Sequence, residues 1–285
     1  MAKSKGPSVR ERRVARRLRK WRTDVAGIPT LEPVASQLRW SPSKLSRLEN
    51  AEQIAGPAEI IALATILGVD EEERDRVVAM ASRESAGWWL GYTPEIVPNA
   101  LADYLETEAE ASIVRNVETM LVPGLLQTSA YAETLIRAWP APSEHAIAER
   151  LSVRQQRQAR LDEDPPLPLH AIVHENALHL PIGGREVMLE QLDWLLSRAK
   201  QSKITLQVLP IKIGAYGGMG ASYHIVSFDG DEAAAVYLDR LTDGQFVEED
   251  DQVETFHRNF QRLINVALDP DASGERILEI RKGFT

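Results

Sequence analysis

The 285-residue chain has no cysteine, which excludes disulfides, thiolate metal sites and cysteine nucleophiles together. Histidine, carboxylate and hydroxyl chemistry is what remains. It also lacks any uninterrupted apolar run approaching the ~18 to 20 residues of a membrane span. No apolar stretch follows the basic residues Lys3, Lys5 and Arg10, so no signal peptide is read. These absences predict a soluble cytoplasmic protein that keeps away from membranes. The length predicts two domains, each with a buried core.

The formal net charge of -9 is unevenly spread. Residues 1–50 carry thirteen Lys and Arg against only four acids (Glu11, Asp24, Glu32 and Glu49), a balance of +9, so the rest carries -18. A basic head on an acidic body predicts a polyanionic partner for the head, because neutralising phosphates releases counterions and drives most nucleic-acid affinity. Charge alone leaves a merely solvated basic helix equally open. The order of residues decides between them.

From Ser8 the spacing predicts five short helices. Val14, Leu18, Trp21 and Val25 give the first an apolar stripe, with Arg10, Arg13, Arg16, Arg17 and Lys20 on its other faces. Gly27 and Pro29 end it. A second runs from Thr30, as N-cap, to Leu38, with Leu31, Val34, Ala35 and Leu38 inward. Ser41 and Pro42 suit the cap and first position of a third, whose Leu45 and Leu48 face the core. Ser43, Lys44, Ser46 and Arg47 lie outward or at its start. Two short helices joined by about three residues, the second opening on polar and basic side chains, fit a major groove. A fourth helix (57–67) and a fifth, capped by Asp70 with Glu73 at the capping-box position, complete the bundle.

The run Val34-Ala35-Ser36-Gln37-Leu38 through Ser41-Pro42-Ser43-Lys44-Leu45-Ser46-Arg47-Leu48-Glu49-Asn50, then Ile61 to Ala64 and Leu67-Gly68-Val69, resembles the XRE (lambda-repressor-like) helix-turn-helix family. The resemblance implies that residues 42–47 form the base-reading helix, with Ser43, Lys44 and Arg47 as its readers. The DNA-binding set is Ser41, Pro42, Ser43, Lys44, Ser46 and Arg47, with Arg17 on the first helix. It also implies an internal Arg22–Glu49 ion pair bracing that helix. Two positions depart from the pattern: Arg39 stands where the turn glycine is usual, and Ala51 where glycine usually follows the recognition helix. Each requires either a strained left-handed backbone or a different turn.

Residues 8–85 are thus read as the DNA-binding domain and 86–100 as an aromatic-rich linker, with Trp88 and Trp89 expected to be buried at the domain junction. Residues 101–285 are read as an α+β domain, a mixed sheet covered by helices. Helices are expected over 101–116, 129–137, 144–160, 185–200, 251–268 and 274–281, and strands over 169–176, 204–209, 223–228, 234–238 and 245–247. The 169–209 segment is a βαβ unit with parallel strands expected, and Asp243-Gly244 a hairpin turn.

The phrases Glu118 to Thr128, Glu175 with Ala177-Leu178, Gln207 to Pro210 and Gly214 to Gly220 resemble the carboxy-terminal domain found behind such helix-turn-helices in streptomycetes and related actinobacteria. That likeness implies an antitoxin-like regulator with a small protein partner encoded nearby.

Enzyme chemistry, cofactors and metals are not expected. His170, His174, Glu175 and His179 lack the order and helical setting of a zinc motif and read as ordinary polar positions, with a metal-dependent hydrolase as the rival. The glycine-rich 214–220 stretch, with Tyr216 and Met219, has no phosphate-loop lysine and reads as a mobile loop, a ligand lid or a partner-docking loop. Arg150, Arg154, Arg157 and Arg160 recur on one helical face, either solvated or a site for an acidic partner or DNA phosphates. The sequence reading is a nucleoid-associated homodimer on double-stranded DNA. Its second domain binds a protein partner or, alternatively, senses a small molecule.

Overall fold

The structure is a computed structural model describing residues 7–82, 87–140, 142–230, 234–239 and 244–284. The chain divides into two units, 1–87 and 88–285.

The first unit is helical: α1 (Val9–Lys20), α2 (Glu32–Leu38), α3 (Pro42–Glu49), α4 (Pro57–Leu67) and α5 (Glu71–Ser82). Ser8 opens α1 with a reciprocal capping box to Glu11. The helix then widens into a π-helical turn over Trp21–Val25, which carries Arg22 inward. Leu18, Val34, Leu45, Leu48, Ile60 and Leu63 are fully sealed in one cluster with Trp21. At ~1.5 to 3 kcal/mol for each such side chain, this core is what holds five short helices together.

Two expected caps are built differently. α2 starts at Glu32 behind Leu31, which is already helical, and Thr30 does not cap it; Pro33 in the first turn supplies the start instead. Asp70 does accept the Glu73 backbone N–H (2.9 Å), but the Glu73 carboxylate turns to Arg17 and Trp21 rather than closing a box.

The second unit is α+β. Its elements run α6 (Asn99–Ala109), β1 (Ile113–Glu118), α7 (Ser129–Arg137), α8 (Glu144–Ala159), β2 (Leu169–His174), α9 (Glu175–His179), α10 (Arg185–Arg198), β3 (Ile204–Leu209), β4 (Tyr223–Ser227), β5 (Ala235–Leu238), β6 (Gln245–Val247), α11 (Asp250–Val266) and α12 (Pro270–Gly283). The sheet order is β3-β2-β1-β4-β5-β6, with β1, β2 and β3 parallel and the rest antiparallel. The expected βαβ unit is present. One face packs on α6, α7, α10 and α12 through Tyr104, Tyr131, Leu192 and Ile277; the other packs on α11 through Phe260 and Leu263.

Among the boundaries that differ from expectation, three have a visible local cause. The helix expected over 101–116 stops at Ala109, and Ile113–Glu118 is the central strand of the sheet. Its β-branched Ile113, Val114 and Val117 prefer a pleated surface, and both neighbours pair with it. The strand expected to reach Asn176 ends at His174, whose Nδ1 accepts the Asn176 N–H and caps α9. α12 begins at Pro270, behind the cap Asp269, ahead of the expected Gly274. Asp243 of the expected hairpin turn lies outside the described residues. Trp89 is buried with Ile96, Val97, Leu105, Ala146 and Val153 in the second unit's own cluster, and Trp88 packs on its edge. Among the described residues no helix is long and apolar enough to cross a membrane.

Candidate nucleic-acid interface

α3 is positioned from both ends and from behind. At its start, Ser41 Oγ accepts the Lys44 N–H at 3.1 Å and Pro42 occupies the first turn, as the sequence predicted. Leu45 and Leu48 are fully sealed in the core, which fixes the rotation of the helix and turns Ser41, Pro42, Ser43 and Arg47 to the surface. Ser46 is half-buried, and its Oγ accepts from Asn50 Nδ2 at 3.2 Å. Ser43 Oγ lies 3.1 Å from Ser41 Oγ.

At its end stands the expected brace. Arg22 Nε and a terminal nitrogen donate to the two Glu49 oxygens, both at 2.7 Å, with the two side chains 5% and 4% exposed. The remaining terminal nitrogen donates to the carbonyls of Ile28 (2.8 Å) and Pro29 (2.9 Å). One guanidinium thus ties the α1–α2 loop to the last turn of the recognition helix, and its hydrogen bonds to Glu49 raise its own pKa.

The cations of the sequence-predicted set differ in freedom. Lys44 is folded back: its Nζ lies 4.2 Å above the Trp40 ring and 3.3 Å from Glu59 Oε1. Arg17 is bonded to Glu73, which also accepts from Trp21 Nε1, so its charge is neutralised inside the unit. Arg47 is exposed and makes no ion pair among the described residues. Arg39 lies outside the sequence-predicted set. It sits exposed in the turn between α2 and α3 at φ 55°, and the signal for it was a cation where the turn favours glycine.

A family model described as a helix-turn-helix domain matches residues 12–77, and one described as a domain of unknown function (DUF5753) matches residues 101–279. The chain belongs to the DUF5753 family. Its first unit is a helix-turn-helix domain of the kind that DNA-binding regulators carry. No curated protein and no solved structure matches the chain.

In the DUF5753 portion the expected partner-binding arginines are mostly occupied. Arg157 forks onto Glu108 (2.9 Å, twice) and lies 4.9 Å from the Tyr104 ring centre, with only 10% of its side chain exposed. Arg154 donates to Gln127 Oε1 at 2.8 Å, Arg160 pairs with Glu163 at 2.5 Å, and Arg150 reaches the Glu95 carbonyl at 3.5 Å. The row is therefore neither a solvated face nor an open docking stripe. Its helix lies against α6 and the 122–127 segment, whose acceptors capture the long side chains.

The 214–220 loop is likewise seated rather than loose. Tyr216 stacks on His174 (5.7 Å), and a Cβ at Gly217 or Gly218 would come within 2.8 Å of the Asn259 amide. Met219 projects from it, 65% exposed. The histidines do not converge. His170 bonds Gln207 Oε1 (2.8 Å), His174 caps α9, and Glu175 is held by Arg276, the Ile211 N–H (3.0 Å) and His179 (3.3 Å). No metal-holding group of three occurs among the described residues.

Proposed function

We propose that the protein is a sequence-specific transcription regulator of the XRE type that lays α3 in the major groove as a homodimer on an inverted repeat. The observation that carries this reading is Arg47, exposed and without an ion pair among the described residues, on a helix braced by the sealed Arg22–Glu49 fork. A bidentate arginine–guanine contact is the commonest specific one in the major groove. Arg39 contacts a phosphate beside it, and Lys44 joins after leaving Trp40 and Glu59. Two half-sites follow because one such domain reads only a few base pairs.

The second unit acts as a binding module and not as an enzyme. The engagement of His170, His174 and Glu175 in structural hydrogen bonds supports that reading. An antitoxin-like role, with a small protein encoded nearby as partner, draws support from the exposed Met219 on the seated 214–220 loop. The deciding experiment is selection of bound sites from random duplex DNA, followed by Arg47→Ala on the selected site. Enrichment of a two-fold symmetric site that the variant no longer discriminates supports the reading, and no enrichment overturns it.

A further inference from the structure

The turn that leads from the 214–220 loop into β4 faces α11 across a cavity of about 390 Å³, half-open to solvent and walled mostly by carbon. Its volume lies within the ~300–1,000 Å³ of small-ligand sites. On the helix side it is lined by Thr255, Phe256, Arg258, Asn259 and Arg262, whose spacing puts them on one face of α11. Gly218, Ala221 and Tyr223 stand opposite.

The two walls are tied together by the protein's own bonds. Tyr223 is buried, and its hydroxyl accepts from Asn259 Nδ2 at 2.9 Å. The same amide lies so close to Gly217 and Gly218 that a Cβ on either would come within 2.8 Å of it, and Gly218 also has φ 76°, a backbone that favours glycine. The Ala221 N–H closes the turn on the Gly218 carbonyl at 2.9 Å. Phe256, half-buried, meets the Tyr223 ring edge to face with 5.0 Å between centres. One asparagine thus holds both the phenol of β4 and the loop, and a guest is spared the cost of ordering them.

The floor is aromatic and the rim is cationic. Thr255, Arg258 and Arg262 are exposed, and the two arginines are the charged side chains among the lining residues. Arg258 donates to Thr255 Oγ1 at 3.3 Å and lies 3.8 Å from Glu254, which is not among the lining residues; at 64% and 62% exposure that pair is loose and screened by water. Arg262 makes no ion pair among the described residues. In a chain whose formal net charge is -9, this concave surface offers two cations beside an apolar floor.

We propose that this cavity binds a small apolar carboxylic acid, with its hydrocarbon body against Tyr223 and Phe256 and its carboxylate at Arg258 and Arg262. Burying the body removes apolar surface from water, and the planar guanidinium fork matches a carboxylate with two parallel N–H donors. A cationic headgroup would meet like charge at the rim, and an uncharged one would leave both forks unused. The site rests on the reading of the second unit as a binding module and gives that module a class of ligand.

The test is calorimetric titration of the full-length protein with octanoate, 1-octanol and octylammonium, which share one apolar body and differ in the charge of the headgroup. Octanoate is expected to bind at a single site, about tenfold or more tighter than 1-octanol, as a hydrogen bond between charged groups provides. Octylammonium is expected to bind weakest. Changing Arg258→Gln and Arg262→Gln together, both at exposed helix positions, is expected to bring octanoate down to the affinity of 1-octanol and to leave 1-octanol unchanged, a split that a merely structural role would not produce. Thr255→Phe, also at an exposed position, fills the cavity and is expected to abolish binding of both, which keeps the proposal refutable if the double variant misfolds. No saturable octanoate binding, octylammonium binding as tight as octanoate, or octanoate affinity unchanged in the variants overturns the proposal. Binding of a short acidic peptide carrying one leucine, where octanoate fails, would give the groove to a protein partner and overturn it as well. Failure with octanoate leaves both the DNA selection and the protein-partner reading untouched.

Discussion

Replacing Arg39 by glycine is expected to stabilise the first unit and weaken its DNA binding at once. Three helices of this unit end in the same left-handed cap, at Arg39 (φ 55°), Ala51 (φ 57°) and Gly68 (φ 69°). In each, the next residue's N–H returns to a carbonyl five positions back: Trp40 to Ala35 (2.8 Å), Glu52 to Arg47 (2.9 Å) and Val69 to Ala64 (3.0 Å). Only the third has the residue the geometry favours. A left-handed L-residue costs about 1–2 kcal/mol, and glycine gives back roughly 0.5–1 kcal/mol through its freer unfolded chain. The net gain for Arg39→Gly is therefore about 0.5–1 kcal/mol, or several degrees of melting temperature for a unit of this size. The same change deletes one phosphate contact, so the slope of log affinity against log salt should fall by about 1 in magnitude, equally on cognate and random DNA. Thermal unfolding and fluorescence anisotropy at several salt concentrations measure both. A less stable variant would refute the strain argument, and an unchanged slope would refute the phosphate contact.

Arg47→Ala should cost about 1–3 kcal/mol on cognate DNA and far less on random DNA; equal losses would make Arg47 a phosphate contact. Lys44→Ala should cost less than Arg47→Ala, because Lys44 must first give up Trp40 and Glu59, and a larger loss would contradict that ordering. Glu49→Ala leaves the buried Arg22 charge uncompensated and should destabilise the first unit by about 3–5 kcal/mol in chemical denaturation; a loss under about 1 kcal/mol would mean that water replaces the carboxylate. Glu118 and His224 make opposed contributions to pH dependence. The raised Glu118 favours the native state at low pH and loses that contribution as pH rises through about 7, whereas the lowered His224 loses its contribution as pH falls toward about 4. The two slopes offset one another in mildly acidic solution. Glu118→Gln should expose the histidine slope, seen as stability falling more steeply than in the wild type between pH 6.5 and 4, and parallel profiles would refute the coupling.

The recognition helix was legible because local chemistry specifies it. Ser41, Pro42, Leu45 and Leu48 each act within one helix, and of the two alternatives the sequence left at Arg39 and Ala51, a left-handed backbone or a different turn, both positions take the first. The central strand was not legible. Ile113 to Glu118 is a short stretch continuous with an acidic helical segment, and what makes it a strand is pairing with Leu169–Val173 and Tyr223–Ser227, far along the chain. The arginine row failed for a related reason. Spacing places Arg154 and Arg157 on one face, but nothing within that helix reveals that Glu108 of α6 and Gln127 wait on the other side.

The strand order of the sheet has a consequence for how the chain is made. β1 acquires its first neighbour only when Leu169 and its followers exist, and its second only with Val226 and those around it. Until then its unpaired edges remain open to other chains, and contacts this distant in sequence form slowly. The helices of the first unit need nothing beyond residue 82 to close their core. On a ribosome, the helix-turn-helix half is therefore finished while the α+β half is still being assembled.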